Sequence, residues 1–304
     1  MLVRAAYIGV IIIWSTTPLA IQWSSIGGGY LFGVSARMLI GLLVLYLIFK
    51  LTKLRLPTTK RALNVYIVSG LGIFTSMTAV YWGAQFIPSG WIAVVFGLSP
   101  IITSVLSKML YQQKSFSMLQ LMGMVCGLSG LITIFFNSSD FNTNAAWGVT
   151  AILISTITHS LSAVVIKQIN APLTGVESTH GGLMVAVPLF LIAMLIANED
   201  ISLDIPVLAW GAILYLAVIA TALGFSLYYF ILKNMDAVRV SMITLITPVT
   251  ALLLGTLLNN EPLTVSILFG AILVIAGLGV FEFEKDVHWI ITQMIKRSSS
   301  CESK

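Results

Sequence analysis

Long apolar runs, broken by short polar clusters, recur along the whole chain. Ten stand out, at approximately 5–22, 30–49, 63–86, 91–110, 117–136, 147–167, 180–197, 207–232, 238–258 and 264–281. Each is roughly 17 to 25 residues long, the length an α-helix needs to cross about 30 Å of hydrocarbon. The pattern predicts an all-α membrane protein with ten transmembrane helices. The first run reads as a span rather than a cleaved leader. It lacks a charge-rich start and carries Trp14, Pro18 and Gln22 ahead of a Gly-rich turn.

The runs also repeat. Residues 81–115 superpose without a gap on residues 229–263, which places Tyr81 on Tyr229, Pro100 on Pro248, Leu106 on Leu254 and Leu110 on Leu258. In the next run one deletion brings Gly123, Gly130 and Leu131 onto Gly270, Gly277 and Leu278. Five spans per half is an odd number, so the second half must enter the membrane upside down relative to the first. The expected architecture is two inverted five-helix repeats around a central cavity, with a first repeat at 4–136, a second at 147–283 and a tail at 284–304. In the tail, Val287, Ile290, Ile291, Met294 and Ile295 recur at helical spacing opposite Lys296 and Arg297. That segment reads equally as an interfacial amphipathic helix or as a frayed end.

Composition fits this class. The residues are 58 % hydrophobic and 9 % charged, whereas soluble domains run near 25 % charged. The net charge of +5 is no nucleic-acid footprint, because the basic residues fall between spans and not on a solvated face. Their placement sets orientation. With the N-terminus inside, every Lys and Arg except Arg37 lies on the inner side, while Asp140, Glu199, Asp200, Asp204 and Glu261 lie outside. Both termini are therefore expected in the cytoplasm. Cys126 and Cys301 are too differently placed to support a disulfide or a metal site.

Several features in order resemble the drug/metabolite transporter superfamily, EamA type. They are five plus five spans, Trp14-Ser15 followed by Pro18, Arg37 early in the second span, Pro100 and Pro248 in the fourth and ninth, and Glu261 after the ninth. The resemblance covers about residues 4–283. Two positions depart from it: Gln113 stands where such halves often carry Glu, and His159 where the sixth span often carries Trp. The resemblance implies a basket of helices around a cavity, with the fifth and tenth helices packed peripherally. It also implies movement of small organic metabolites, frequently amino-acid-like export, across a bacterial cytoplasmic membrane. No cofactor or metal is implied. The lipid bilayer and a small-molecule substrate are the expected partners, and a homodimer is left open.

His159 falls about 18 Å into its span, near the midplane. A buried ionisable group there is a site candidate, against the alternative of a neutral imidazole bonded to a neighbouring helix. The repeat alignment sets it opposite Trp14. Arg37 sits close enough to the outer boundary to anchor at headgroups or outer-loop carboxylates, or else to bind a substrate carboxylate. Pro100 and Pro248 each remove a helical hydrogen bond, with Ser99, Thr103, Thr244 and Thr247 at hand for the freed carbonyls. They read as paired gate kinks or as packing kinks. Tyr81, Trp82, Gln85, Tyr228 and Tyr229 suit a cavity wall of aromatic faces and polar tips, although most membrane aromatics pack or form interfacial belts.

No His-Glu-x-x-His, paired intramembrane aspartates or nucleophile motif points to an enzyme, and no ring of like charge or filter loop points to a channel. A proton-coupled cation or multidrug exporter is the competing reading, yet no Asp or Glu lies deep in a span. Desolvation favours the neutral form of a lone imidazole, so a facilitator or exchanger for a small, largely apolar or zwitterionic solute is expected.

Overall fold

The computed structural model describes residues 1–111, 117–136, 143–197, 204–261 and 263–282. Gln113, residues 137–142, Pro262 and the tail at 284–304 lie outside them. Among the described residues all regular structure is helical: α1 (Leu2–Ser24), α2 (Tyr30–Thr52), α3 (Lys60–Gly83), α4 (Ser89–Phe96), α5 (Ser99–Tyr111), α6 (Met118–Phe136), α7 (Thr143–Ile169), α8 (Gly175–Ala197), α9 (Val207–Tyr215), a π-helical segment (Leu216–Phe225), α10 (Ser226–Asn234), α11 (Ala237–Ser241), α12 (Ile243–Asn259) and α13 (Val265–Glu282). Among the described residues seven helical rods are long and apolar enough to cross a membrane, counting Ser89–Tyr111 and Val207–Asn234 as one each. Three further apolar stretches, Met118–Ile134, Thr247–Asn259 and Val265–Phe281, are shorter.

Helix starts follow local chemistry. In a capping box, the side chains of a Ser or Thr and of a Glu or Gln three residues later each accept from the other's backbone N–H. Ser117 with Gln120 opens α6 this way, and Thr174 with Glu177 opens α8. Thr59 and Thr264 cap α3 and α13 through their hydroxyls. Because a bilayer offers the spans no water, apolar side chains need not turn inward. Leu63, Ile67 and Leu71, one turn apart on α3, are exposed, as is expected of a lipid-facing stripe.

The first half comprises α1 to α6 and the second α7 to α13, and the main packing crosses between them. α3 lies on α7 and α8, α1 on α12, α2 on α8, α4 on α12, and α6 on α13. Small polar residues knit these interfaces, as Ser76 and Ser155 do between α3 and α7 at 3.1 Å. The halves run in opposite senses. α1 begins on the face where Tyr7 donates to the Arg239 carbonyl, and α7 ends there, with Lys167 Nζ on the carbonyls of Leu232 and Lys233. α7 begins on the opposite face, where Gly148 abuts Gly83, Phe86 and Ile87.

α6 and α13 touch backbone to backbone through the glycines the repeat aligned. A Cβ on Gly130 would fall 2.6 Å from the Gly270 carbonyl oxygen, and one on Gly277 would fall 2.5 Å from the Gly127 nitrogen. Gly279, two residues on, faces open space. Overpacking costs about 1–3 kcal/mol. Gly277→Ala is accordingly expected to lower the thermal unfolding midpoint in detergent, and Gly279→Ala to leave it unchanged or raise it. Equal effects at the two positions would contradict the close helix contact.

Candidate functional site

The site is built where helices are interrupted. A proline ring collides with the carbonyl four residues back, which for Pro100 is that of Phe96. α4 ends at Phe96, α5 begins at Ser99, and Ser99 Oγ donates to the freed Phe96 carbonyl at 2.6 Å. Pro100 itself lies in the first turn of α5, where its missing N–H is not needed. Pro248 stands in the same relation to Thr244, and Thr247 Oγ1 donates to that carbonyl at 3.3 Å. Here the helix continues through the proline, and the interruption falls earlier, at Met242 between α11 and α12. The expected matching kinks are thus offset between the halves.

These helices surround a cavity of about 70 Å³. Pro18 and Ile21 of α1, Met77 and Val80 of α3, Ile92 and Phe96 of α4, and Phe225 give it a largely apolar wall. Its polar groups are Thr17, Arg37, His159, Thr244 and Thr247. A smaller pocket, lined by Ser99, Thr103, Ser160, Ala163, Tyr228 and Ser241, shares Trp14, His159 and Thr244 with it.

Between the two spaces lies an aromatic layer. Trp14 and His159 meet edge to face with centroids 5.7 Å apart. Tyr228 closes the triangle at 5.2 Å from Trp14 and 5.1 Å from His159. Such pairs attract by roughly 0.5–1.5 kcal/mol beyond burial, strong enough to hold shape and weak enough to separate. α1 runs through the layer, so Pro18 and Ile21 place the larger cavity toward the face where α1 ends. Ala163 and Ser241 place the smaller pocket toward the face where α1 begins.

Arg37, expected within reach of headgroups, is 2 % exposed and borders the larger cavity. Its Nε donates to Thr221 Oγ1 at 2.8 Å and its Nη1 to the Tyr81 hydroxyl at 3.5 Å. Thr221 lies in the π-helical segment. π-helical turns, in which each N–H bonds five residues back, are frequent at functional sites.

On the face where α1 ends, one carboxylate ties both halves together. α4 opens after Pro88, which supplies no capping side chain. Glu261, beyond the end of α12, does so instead: its Oε1 accepts from Ser89 N at 3.0 Å and Ser89 Oγ at 2.6 Å, and its Oε2 from Gly90 N at 3.2 Å. Asn259 Nδ2 donates to Glu261 Oε1 at 3.0 Å and to Gln22 Oε1 at 3.2 Å. Gln22 Nε2 donates to the Ile87 carbonyl at 2.7 Å, and Trp23 Nε1 to Asn259 Oδ1 at 3.1 Å. α1, the α3–α4 turn and the end of α12 are thereby locked over the cavity.

The structure brings Trp14, Pro18, Arg37, His159 and Thr244 to the larger cavity and Tyr228 to the partition. Tyr81 stands behind Arg37, fully buried. Tyr229 lines a separate groove with Lys167 and Lys233. Trp82 packs on Phe86, Gln85 borders a shallow pocket beside Gln22, and Pro100 and Pro248 are buried behind the wall. Sequence reasoning missed the apolar wall from Met77 to Phe96, Phe225, and the Glu261 network. The only signals were the proximity of Asn259 to Glu261 and an N-terminal helix turn left uncapped by Pro88.

The sequence profile of the EamA-like transporter family matches residues 4–136 and 146–282. The uncharacterized transporter YoaV of Bacillus subtilis (strain 168) is 27 % identical over 281 residues, covering 91 % of this chain and 95 % of its own. The uncharacterized inner membrane transporter YedA of Escherichia coli (strain K12) is 27 % identical over 261 residues, covering 85 % and 83 %. A solved crystal structure superposes with a TM-score of 0.70 at 16 % identity over 92 % of this chain and 97 % of that one, a likeness of fold.

Removing a charged acceptor strands the donors it served, at a cost of at least about 2 kcal/mol. Glu261→Ala is therefore expected to lower the unfolding midpoint clearly, and Glu261→Gln less, since an amide oxygen still caps α4. Unchanged midpoints for both would show that the carboxylate holds nothing together.

Proposed function

This chain belongs to the EamA-like transporter family, and from that premise we propose that it moves a small organic metabolite out of the cell by alternating access, as a facilitator or exchanger. The observation that carries this reading is the aromatic cluster of Trp14, His159 and Tyr228 where two adjoining spaces meet. Two inverted halves that rock about such a layer would expose a central site to each side in turn. The Glu261 network supports the same reading, because its hydrogen bonds bridge the halves and must break for the larger cavity to open on that face.

We place both termini in the cytoplasm, from the distribution of Lys and Arg. The inner-membrane designation of the relative YedA supports a bacterial cytoplasmic membrane. In this orientation the Glu261 network seals the outer end. The larger cavity would then have to open outward to release its solute.

Energy coupling follows from the lining. Among the described residues no carboxylate lines the larger cavity, and proton-driven exchange ordinarily uses an embedded group that is protonated and deprotonated in turn. His159 is the titratable candidate, and the side chains that meet its ring are the aromatic Trp14 and Tyr228. Transport down the solute's own gradient follows.

The test is uptake of labelled amino acids and small organic acids into proteoliposomes, with and without an imposed pH gradient. Saturable equilibration that is indifferent to the pH gradient is expected. Accumulation above equilibrium that follows the gradient, and is lost in His159→Ala while passive exchange survives, would instead make the histidine a proton-coupling group.

A further inference from the structure

We propose that Arg37 is the recognition group of the larger cavity for a carboxylate, and that the ligand is an organic monoanion with an apolar body. The ligand's role as cargo rests on the transport reading above; its recognition does not.

A guanidinium carries five N–H donors and no acceptor. At Arg37 the protein engages two of its nitrogens, one by a good bond to Thr221 and one by a 3.5 Å contact to Tyr81, both with neutral hydroxyls, and the guanidinium carbon lies 6.0 Å from the Tyr81 ring centroid, so its partners are all neutral. Among the described residues no acidic side chain lies within ion-pair distance of it; the recorded ion pair is Arg239 with Asp236. A charge held at 2 % exposure in a membrane-embedded protein is costly unless paired, and unpaired intramembrane charges mark sites where a ligand completes the pair. If Arg37 served only to tie α2 to Tyr81 and Thr221, a neutral donor would bridge the same hydroxyls without that cost.

The rest of the wall selects the ligand. Among the described lining residues Arg37 is the fixed charge, and no carboxylate faces it. An ammonium group would find no partner there, which disfavours cations and leaves the amine of a zwitterion unserved. One positive charge balances one negative charge, so a carboxylate suits the site better than a phosphate dianion, and the planar fork matches carboxylate geometry. Ile92, Phe96 and Phe225 would receive an apolar or aromatic body, while the Thr244 hydroxyl, whose proton goes to the Ser241 carbonyl, offers an acceptor at the side shared with the smaller pocket.

The test is equilibrium dialysis of the detergent-purified protein with radiolabelled benzoate or butyrate, competed by benzamide and benzylamine at matched ionic strength. Saturable carboxylate binding is expected. Benzamide and benzylamine should compete at least about tenfold more weakly, the loss of one charge-assisted pair. Arg37→Gln should erase the preference of benzoate over benzamide, and Arg37→Lys should keep part of it. No saturable binding by either carboxylate, or benzamide competing as well as benzoate, overturns the proposal, and this comparison needs no variant to fold. Carboxylate binding without flux in proteoliposomes would count against transport and leave the anion site standing. Flux of neutral solutes with no carboxylate preference would do the reverse.

Discussion

In hydrocarbon, a backbone or side-chain polar group can be satisfied only by the protein itself, and the details of this structure follow from that constraint. The Phe96 carbonyl released by Pro100 is taken by the Ser99 hydroxyl, and the Thr244 carbonyl opposite Pro248 by Thr247. Hydroxyls in α7 and α8 bond back into their own helices, as Thr156 and Thr179 do. Where α4 begins without a cap, a carboxylate from the other half is drawn in to supply one. Helix interruptions are possible at these few points because partners stand ready there, and the interruptions give the cavity its walls.

The same constraint makes the halves interdependent. Glycine contacts between α6 and α13 bring backbones together, with Ile134, Val274 and Phe281 packed onto the facing glycines, and small hydroxyls join α3 to α7. The central interface between α1, α7 and α10 rests instead on three aromatic rings in van der Waals contact. Strong bonds thus gather at one end of the pathway, and a weaker, separable layer sits in its middle. That division suits the proposed rearrangement about the centre with the perimeter kept intact.

Much of this was legible in the chain. Apolar runs of membrane length gave the helices, and an odd number of them per repeat gave the inverted halves. The internal alignment set Trp14 opposite His159, and the structure brings those rings together edge to face. Other features had no local signature. Leu216–Phe225 is an apolar run with Thr221 as its one polar side chain, and nothing in it announces the π-helical winding that presents Thr221 to Arg37. Neighbours on a helix point about 100° apart, which is why Tyr228 meets the layer and Tyr229 faces another groove; composition cannot choose between them. The Glu261 network joins residues from opposite ends of the chain, a pairing only the fold makes.

The central claim is that the Trp14–His159–Tyr228 layer divides two compartments that open alternately. It is tested most directly by labelling single cysteines at Ala93, in the larger cavity, and Ala163, in the smaller pocket, with an impermeant thiol reagent in sealed right-side-out and inside-out vesicles, after replacement of Cys126 and Cys301. Alternating access predicts that Ala93→Cys reacts only from the face bearing Glu261 and Ala163→Cys only from the other. It also predicts that a disulfide engineered between positions 22 and 259 suppresses the first reaction while enhancing the second. Reaction of both cysteines from one face, or no reciprocal change on cross-linking, would contradict it.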